Sequence, residues 1–348
     1  MKEKKSIFRR TAVSLAMVAV FLVVLWLLQL LLMPKYMTEM KEGAMIAEYY
    51  RDTPDHSVIF VGDCEVYESY SPVVLWEEYG INAYIRGSAQ QLIWQSYYLM
   101  EDTLRYETPA CFVFNIQSVQ YPEPQKEAYN RMTLDGMKWG LPKLRAIRAS
   151  MCADESFASY LFPILRYHER ITSLGKEDLT YLFRRDTVTH NGYLMNVGID
   201  PYKGSKTPIP LSDYTLSPTV IDYLDKMVAL CEAHGVRLIF VKAPSISETW
   251  WDEWEEQIVD YAAKNNVPYY NFLNLRDEVG LDFETDTYDH GKHLNLSGAE
   301  KMSRYFGKIL REEFEIPDER DNDALKAAWE EKSRLYRKEK AKLLTGQP

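Results

Sequence analysis

Two short segments hold side chains of the kinds that could share one reaction, and they stand more than two hundred positions apart. The first is Val61-Gly62-Asp63-Cys64. A nucleophile set directly after a buried strand, on a tight turn into a helix, has its side chain exposed at the sheet's carboxyl edge with backbone N–H groups converging nearby. Cys64 occupies that place. The second is Asp289-His290-Gly291-Lys292-His293-Leu294-Asn295-Leu296-Ser297-Gly298. An imidazole needs an adjacent carboxylate to fix its tautomer before it can take a proton from a nucleophile. His293 and Asp289 can fill those two roles, with His290 and Asp286 as the fallback pair. A thiol beside such an imidazole is expected to ionise below the free-thiol value of about 8.5. Asp63, Asn295, Lys242 and His290 are further candidates for substrate contact, although a solvated Lys242 is the plainer reading.

These segments need a scaffold that brings them together. His56 to Gly62 is a short apolar run ending in glycine, the pattern of a buried parallel strand. Ser71-Pro72 opens a helix that Gly80 closes. Further strands are expected at Ile81 to Ile85, Ala110 to Ile116, Val236 to Val241 and Pro268 to Leu273. Helices are expected at Gln90 to Arg105, Pro218 to Ala233, Glu248 to Asn265 and Ser297 to Glu313. This alternation predicts an α/β fold, a mostly parallel five-stranded sheet with helices on both faces. A largely helical insertion, about residues 118–216, interrupts it after the third strand and could serve as a lid or platform near the ligand crevice. Residues 56–317 make up the catalytic-type domain, and 318–348 read as a charged, exposed C-terminal helix. His56 and His234 read as surface residues and His168 as a structural hydrogen bonder.

The N-terminus sets the compartment. Lys2, Lys4, Lys5, Arg9 and Arg10 fall in the basic tail 1–10, and the uncharged apolar run 11–33 follows. At 1.5 Å rise per residue that run reaches about 34 Å, enough for a hydrocarbon core of roughly 30 Å. It is longer than a cleavable signal core, and Met33-Pro34-Lys35-Tyr36 offers no small-residue cleavage site. The expected topology is single-pass, with a cytoplasmic N-terminus, a stalk or short helix at 34–55, and the domain outside the cell membrane. A net charge of −10 argues against a nucleic-acid partner. The four cysteines lack CxxC spacing, so neither a disulfide scaffold nor a metal site is expected, and no cofactor is called for.

In these segments the chain resembles the SGNH or GDSL-like esterases and acyltransferases, over roughly Ser57 to Gly87 and Val236 to Leu310. That family's nucleophilic serine stands in a Gly-Asp-Ser motif, which Gly62-Asp63-Cys64 matches with cysteine for serine. A glycine after the second strand supplies an oxyanion-hole N–H there, and Gly87 looks like it. The family's histidine precedes the last helix, as His293-Leu294-Asn295 does. The resemblance implies a flavodoxin-like, three-layer α/β/α domain. The anchor and the wording of Tyr84 to Gln91 and Asp289 to Gly298 are closer still to membrane-anchored members. Among these are D-alanyl lipoteichoic acid transfer proteins and alginate O-acetyltransferase accessory proteins.

The departures are specific. The carboxylate stands four residues before the histidine instead of three, and Phe114-Asn115-Ile116-Gln117-Ser118 replaces the family's Gly-x-Asn-Asp block, leaving Asn115 or Gln117 as the oxyanion candidate. The expected activity is acyl transfer to, or ester cleavage from, cell-envelope glycans. The resemblance implies a multispan membrane acyltransferase as partner. The competing reading is an inactive binding or scaffold protein of the same fold. An active site requires the Cys64 sulfur and a His293 ring nitrogen within about 5 Å.

Overall fold

Val58-Ile-Phe-Val-Gly62 is apolar at every position and buried at every position, which only a strand covered on both faces permits. A computed structural model of the chain describes residues 2–34, 42–53, 55–184, 187–204, 210–246 and 250–346. In chain order the helices and strands up to the centre of the sheet are α1 (Lys2–Leu32), α2 (Glu42–Glu48), β1 (Val58–Gly62), α3 (Cys64–Ser69), α4 (Pro72–Tyr79), β2 (Ala83–Gly87), α5 (Ile93–Thr103) and β3 (Cys111–Asn115). Next come α6 (Glu127–Leu134), α7 (Leu141–Ser150), α8 (Phe157–Leu161), α9 (Ile164–Tyr167), α10 (Lys176–Phe183) and α11 (Pro218–His234). The rest are β4 (Arg237–Lys242), α12 (Asp252–Lys264), β5 (Tyr269–Asn271), α13 (Arg276–Val279), α14 (Leu296–Glu312) and α15 (Asp323–Thr345).

All five strands are parallel, in the order β2-β1-β3-β4-β5. Val58 and Phe60 share one face with Val113, Ile239 and Val241 and pack beneath α4 and α14. The alternate residues, including Phe112, Phe114 and Phe240, face α5 and α11. The result is a doubly wound α/β/α sandwich. Its strand order reverses between β1 and β3, and the crevice outside the carboxyl ends at such a switch point is where these sheets hold ligands.

Several boundaries differ from the sequence expectation for local reasons. β2 begins two residues late, because Ile81 N donates back to Leu75 O and the Asn82 carbonyl accepts from Ser57 N, so both residues close a turn. The 34–55 segment is not a free stalk where it is described: Met45, Ile46 and Tyr49 are buried, and Glu48 accepts from Val188 N and Thr189 Oγ1. The insertion does not behave as one body. Asp154–Asp186 form a compact unit with Met1–Glu39, whereas Met40–Ala153 and Thr187–Pro348 form the unit that contains the sheet. Among the described residues one helical stretch, Ile7–Leu32, is long and apolar enough to cross a membrane.

The C-terminal helix is not simply exposed. Leu325, Trp329, Ser333 and Tyr336 recur at helical spacing and form a buried stripe on α15. Trp329 stacks on Trp76 at 5.3 Å with an interplanar angle of 9°, and its indole N–H donates to Asn82 Oδ1 at 3.1 Å. Lys332 pairs with Asp52 at 2.8 Å and Arg337 with Glu77 at 2.5 Å. Replacing Trp329 with alanine removes the largest of these contacts and should cost about 3–5 kcal/mol. Urea unfolding of the purified chain would measure it; a loss under about 1 kcal/mol would mean that α15 is dispensable to the core.

Candidate active site

Cys64 is the first residue of α3, directly beyond the end of β1. Asp63 caps that helix, its Oδ1 accepting from Glu65 N at 3.2 Å, and this turns the chain so that the thiol stands at the carboxyl edge. The cap is itself fixed. Asn115, at the end of β3, donates from Nδ2 to Asp63 Oδ1 at 3.0 Å and to Glu65 Oε2 at 2.9 Å, and accepts at Oδ1 from Ala243 N at 3.0 Å. Lys242, at the end of β4, is completely buried and reaches Glu65 at 3.2 Å, Ser245 Oγ at 2.8 Å and the Ala243 carbonyl at 3.0 Å. Ser245 also donates to Glu65 Oε1. One polar chain thus crosses the ends of β1, β3 and β4 beneath the thiol.

The histidine comes from a loop closed by an antiparallel bridge between Thr287 and Leu294. His290 and Gly291 both adopt positive φ, 61° and 86°, and this pair of left-handed residues takes up the extra residue between Asp289 and His293. Asp289 therefore folds back onto His293, with Oδ1 accepting the backbone N–H at 2.7 Å and Oδ2 lying 2.5 Å from Nδ1. The insertion's return segment braces the loop: Thr287 Oγ1 and His290 N donate to Asp200 O, and Asn295 Nδ2 donates to Gly198 O at 2.9 Å.

His293 Nε2 lies 3.1 Å from Cys64 Sγ. Sulfur, imidazole and Asp289 carboxylate make a continuous chain. Tyr288 stacks on the imidazole with ring centres 5.9 Å apart, and its hydroxyl donates to Glu68 Oε1 at 2.6 Å. The other oxygen of Glu68 lies 3.5 Å from His293 Nδ1, so two carboxylates flank one ring. The imidazole side chain is 20 % exposed and Cys64 as a residue is partly buried.

The remaining candidates sort by what their polar atoms are bound to. Asn115, expected as an oxyanion donor, has both amide protons inside the network, and Lys242 is neither solvated nor open to substrate. Asn295 caps α14 through Ser297 N and Gly298 N. His290 turns away from the thiol to pair with Asp200 at 3.2 Å. Asp63 is buried under the turn. Gly87 pairs in register with Gly62 at the end of β2; a Cβ there would sit 2.9 Å from Val66 Cγ2 and 3.2 Å from the Asp63 carbonyl, so its bareness lets α3 approach. His56, expected at the surface, is buried between Glu107 and Asp52, whereas His168 and His234 are exposed. Among the described residues no cluster of three or more His, Cys, Asp or Glu is disposed to hold a metal.

Glu65, Glu68 and Tyr288 escaped the sequence reading as members of the site, whereas Ser245 was expected beside Lys242 at the sheet's carboxyl edge and lies there bound to Glu65 and Lys242. Glu68 was findable, since it lies one helical turn from Cys64 at i,i+4 and must share its face.

The electrostatics differ from the expectation of an ionised thiol. Burial pushes Cys64 up to about 11; the neighbouring His293 opposes this, while Asp63 and Glu68 add to it. Burial alone would lower His293, but the sulfur, Asp289 and Glu68 carry it up to about 12. Burial, reinforced by the charge of Glu65, raises Asp63 to about 7. Burial and the flanking carboxylates thus hold the thiol protonated in place of the expected thiolate.

A comparison with solved structures finds a protein from Desulfitobacterium hafniense DCB-2 described as a lipolytic protein of the G-D-S-L family. The match has 12 % identity and a TM-score of 0.36, and covers 73 % of this chain and 99 % of that one. The likeness is too loose to carry fold or chemistry across. No protein-family model and no curated protein matches the chain.

The raised thiol fixes a pH profile. Only thiolate reacts with iodoacetamide, so Cys64 alkylation should still be climbing at about pH 10, where a free thiol of pKa about 8.5 has levelled off. Glu68→Gln removes one charge that holds the proton, and should move the profile to lower pH. A plateau below pH 7 in the unaltered chain, followed by mass spectrometry of the Cys64 peptide, would show a preformed thiolate–imidazolium pair instead. The buried Glu65–Lys242 pair gives a stability test. Lys242→Met strands the Glu65 carboxylate and should cost about 3–5 kcal/mol, much of it restored by adding Glu65→Gln. Equal stability of the Lys242→Met chain and the unaltered one by denaturant titration would rule this out.

Proposed function

We propose that this chain is a membrane-tethered enzyme that moves acyl groups between esters of cell-envelope glycans, with Cys64 as nucleophile. The observation that carries the reading is the 3.1 Å contact from Cys64 Sγ to His293 Nε2, continued 2.5 Å from Nδ1 to Asp289, at the switch-point edge of the sheet. The resemblance around Gly62-Asp63-Cys64 and His293-Leu294-Asn295 supports the substrate class. In the first half-reaction Sγ attacks the acyl carbonyl carbon while its proton passes to Nε2. The N–H groups of Cys64 and Gly87 receive the oxyanion. Collapse breaks the ester C–O bond, the leaving oxygen takes the proton from Nε2, and a thioester remains on Cys64. An acceptor hydroxyl, or water in plain hydrolysis, then gives its proton to Nε2 and attacks the thioester, regenerating the thiol. Asp289 holds the ring through both halves. His293 must be neutral to begin, and both it and the thiol are raised, so the rate climbs as pH rises.

The helix Ile7–Leu32 and the basic residues before it support a single-pass anchor with a cytoplasmic N-terminus and an external domain. A multispan membrane acyltransferase as acyl donor belongs to the same proposal. The thiol's rise to about 11 favours the second reading, a noncatalytic partner that binds glycan in the same crevice.

Acyl-enzyme trapping separates the two. Incubated with an activated acetyl ester, the full chain in detergent should gain one acetyl group on Cys64, labile to hydroxylamine and absent from Cys64→Ala. His293→Ala should slow its formation about 10²- to 10⁴-fold. No adduct, together with full envelope acylation in cells carrying Cys64→Ala, would leave only the binding reading. For topology, protease added to spheroplasts should degrade the domain and spare the extreme N-terminus; a protected domain would reverse the assignment.

A further inference from the structure

The helices at 157–183 expose more apolar surface than a water-facing segment needs. Leu161, Phe162, Leu165, Ile171, Leu179 and Phe183 are all exposed, Ile171 at 61 % and Phe183 at 91 %. Isolated exposed apolar residues are ordinary, but six within so short a stretch form a patch that requires an occupant. On α10 they are ordered: Leu179 and Phe183 share one face at i,i+4, and Glu177 lies on the opposite one.

The neighbour of this patch identifies the occupant. α9, α10 and the 3₁₀ turn His168–Thr172 between them pack against α1 within the same compact unit. Arg170 donates from Nη1 to the Leu32 carbonyl at 2.7 Å, satisfying the C-terminal end of α1, and its Nη2 pairs with Asp178 at 2.9 Å. α1 is exposed from Ile7 to Val24 and becomes partly covered from Leu25 to Leu32. That covered length is about 10 Å along the axis. The uncharged apolar run 11–33 extends about 34 Å, some 4 Å more than a hydrocarbon core of roughly 30 Å. The covered length exceeds that surplus by about 6 Å, so the covered end of α1, and the helices against it, reach into the leaflet to the depth of about 5–10 Å at which amphipathic helices bury.

Resting on the reading of α1 as membrane-spanning, we infer that residues 157–183 form a monotopic collar. It inserts Phe162, Leu165, Leu179 and Phe183 into the lipid leaflet around the Leu32 end of the anchor. The ligand is the acyl and glycerol region of the bilayer. Residues 157–184 carry four basic side chains (Arg166, Arg170, Lys176, Arg184) against three acidic (Glu169, Glu177, Asp178), so attraction to anionic lipid contributes little. The collar engages uncharged and anionic bilayers alike.

Site-specific photocrosslinking of the full chain tests this in vesicles of pure phosphatidylcholine and of phosphatidylcholine with phosphatidylglycerol. Benzoylphenylalanine is placed one position at a time at Met17, Phe162, Leu179, Phe183 and Glu177, and the adducts are read by mass spectrometry. Lipid adducts are expected at 17, 162, 179 and 183 in both vesicles, with only background at 177. Adducts at 17 but none at 162, 179 and 183 overturn the collar and leave the anchor standing. Adducts at 179 and 183 without any at 17 keep the collar and end the anchor reading. Protein adducts in place of lipid at 162, 179 and 183 overturn the collar in favour of a protein partner, as does equal lipid labelling at 177 and 183.

Discussion

A carboxylate taken out of water needs a cation and hydrogen bonds, and Glu65 finds both only where three strands end together. Its partners are Lys242 from β4, Asn115 from β3 and Ser245 from the loop beyond β4. Glu65 is the residue after Cys64, so satisfying its charge fixes the turn that presents the thiol. Asn115 holds the preceding residue as well, through Asp63. The thiol's place follows from a polar chain that runs beneath it and does not touch it. Parallel packing makes the arrangement feasible, because β1, β3 and β4 all deliver their carboxyl ends to one edge.

The elements that position the site were legible in the sequence because buried parallel strands announce themselves as short apolar runs ended by turn residues. Val58 to Gly62, Phe112 to Phe114 and Leu238 to Val241 contain no polar residue, and Ser71-Pro72 with Gly80 bracketed α4 nearly to the residue. Asp289 and His293 could be nominated for the same reason, since a polar loop before an amphipathic helix stands out. The companions could not. Lys242 and Asn115 look like ordinary strand-end polar residues until their neighbours in space are known, and those neighbours lie about 50 to 180 positions away. The stripe on α15 was hidden by dilution: Leu325, Trp329 and Tyr336 are its main apolar contacts along 23 residues otherwise rich in charge.

The site spends acidity unusually. Asp63, Glu65, Glu68 and Asp289 surround one thiol and one imidazole, with Lys242 the buried cation among them. The surplus of negative charge retains protons. With burial and these charges holding the Cys64 thiol well above the free-thiol value, little thiolate is present at neutral pH. Oxidation to sulfenic acid also proceeds through thiolate, so the proton that delays nucleophilic attack also shields the sulfur from oxidants.

The clasp between Trp329 and Trp76 has a consequence in time. α15 follows every strand of the sheet in chain order, so Trp76 and Asp52, to which it fastens, leave the ribosome hundreds of residues before it. Until Trp329 arrives, the outer side of α4 lacks its cover and the nascent domain presents an aromatic surface to whatever escorts it. Sealing therefore waits on residue 329: a message truncated before that codon yields a polypeptide with every strand of the sheet and an open seam, the form that quality-control proteases recognise.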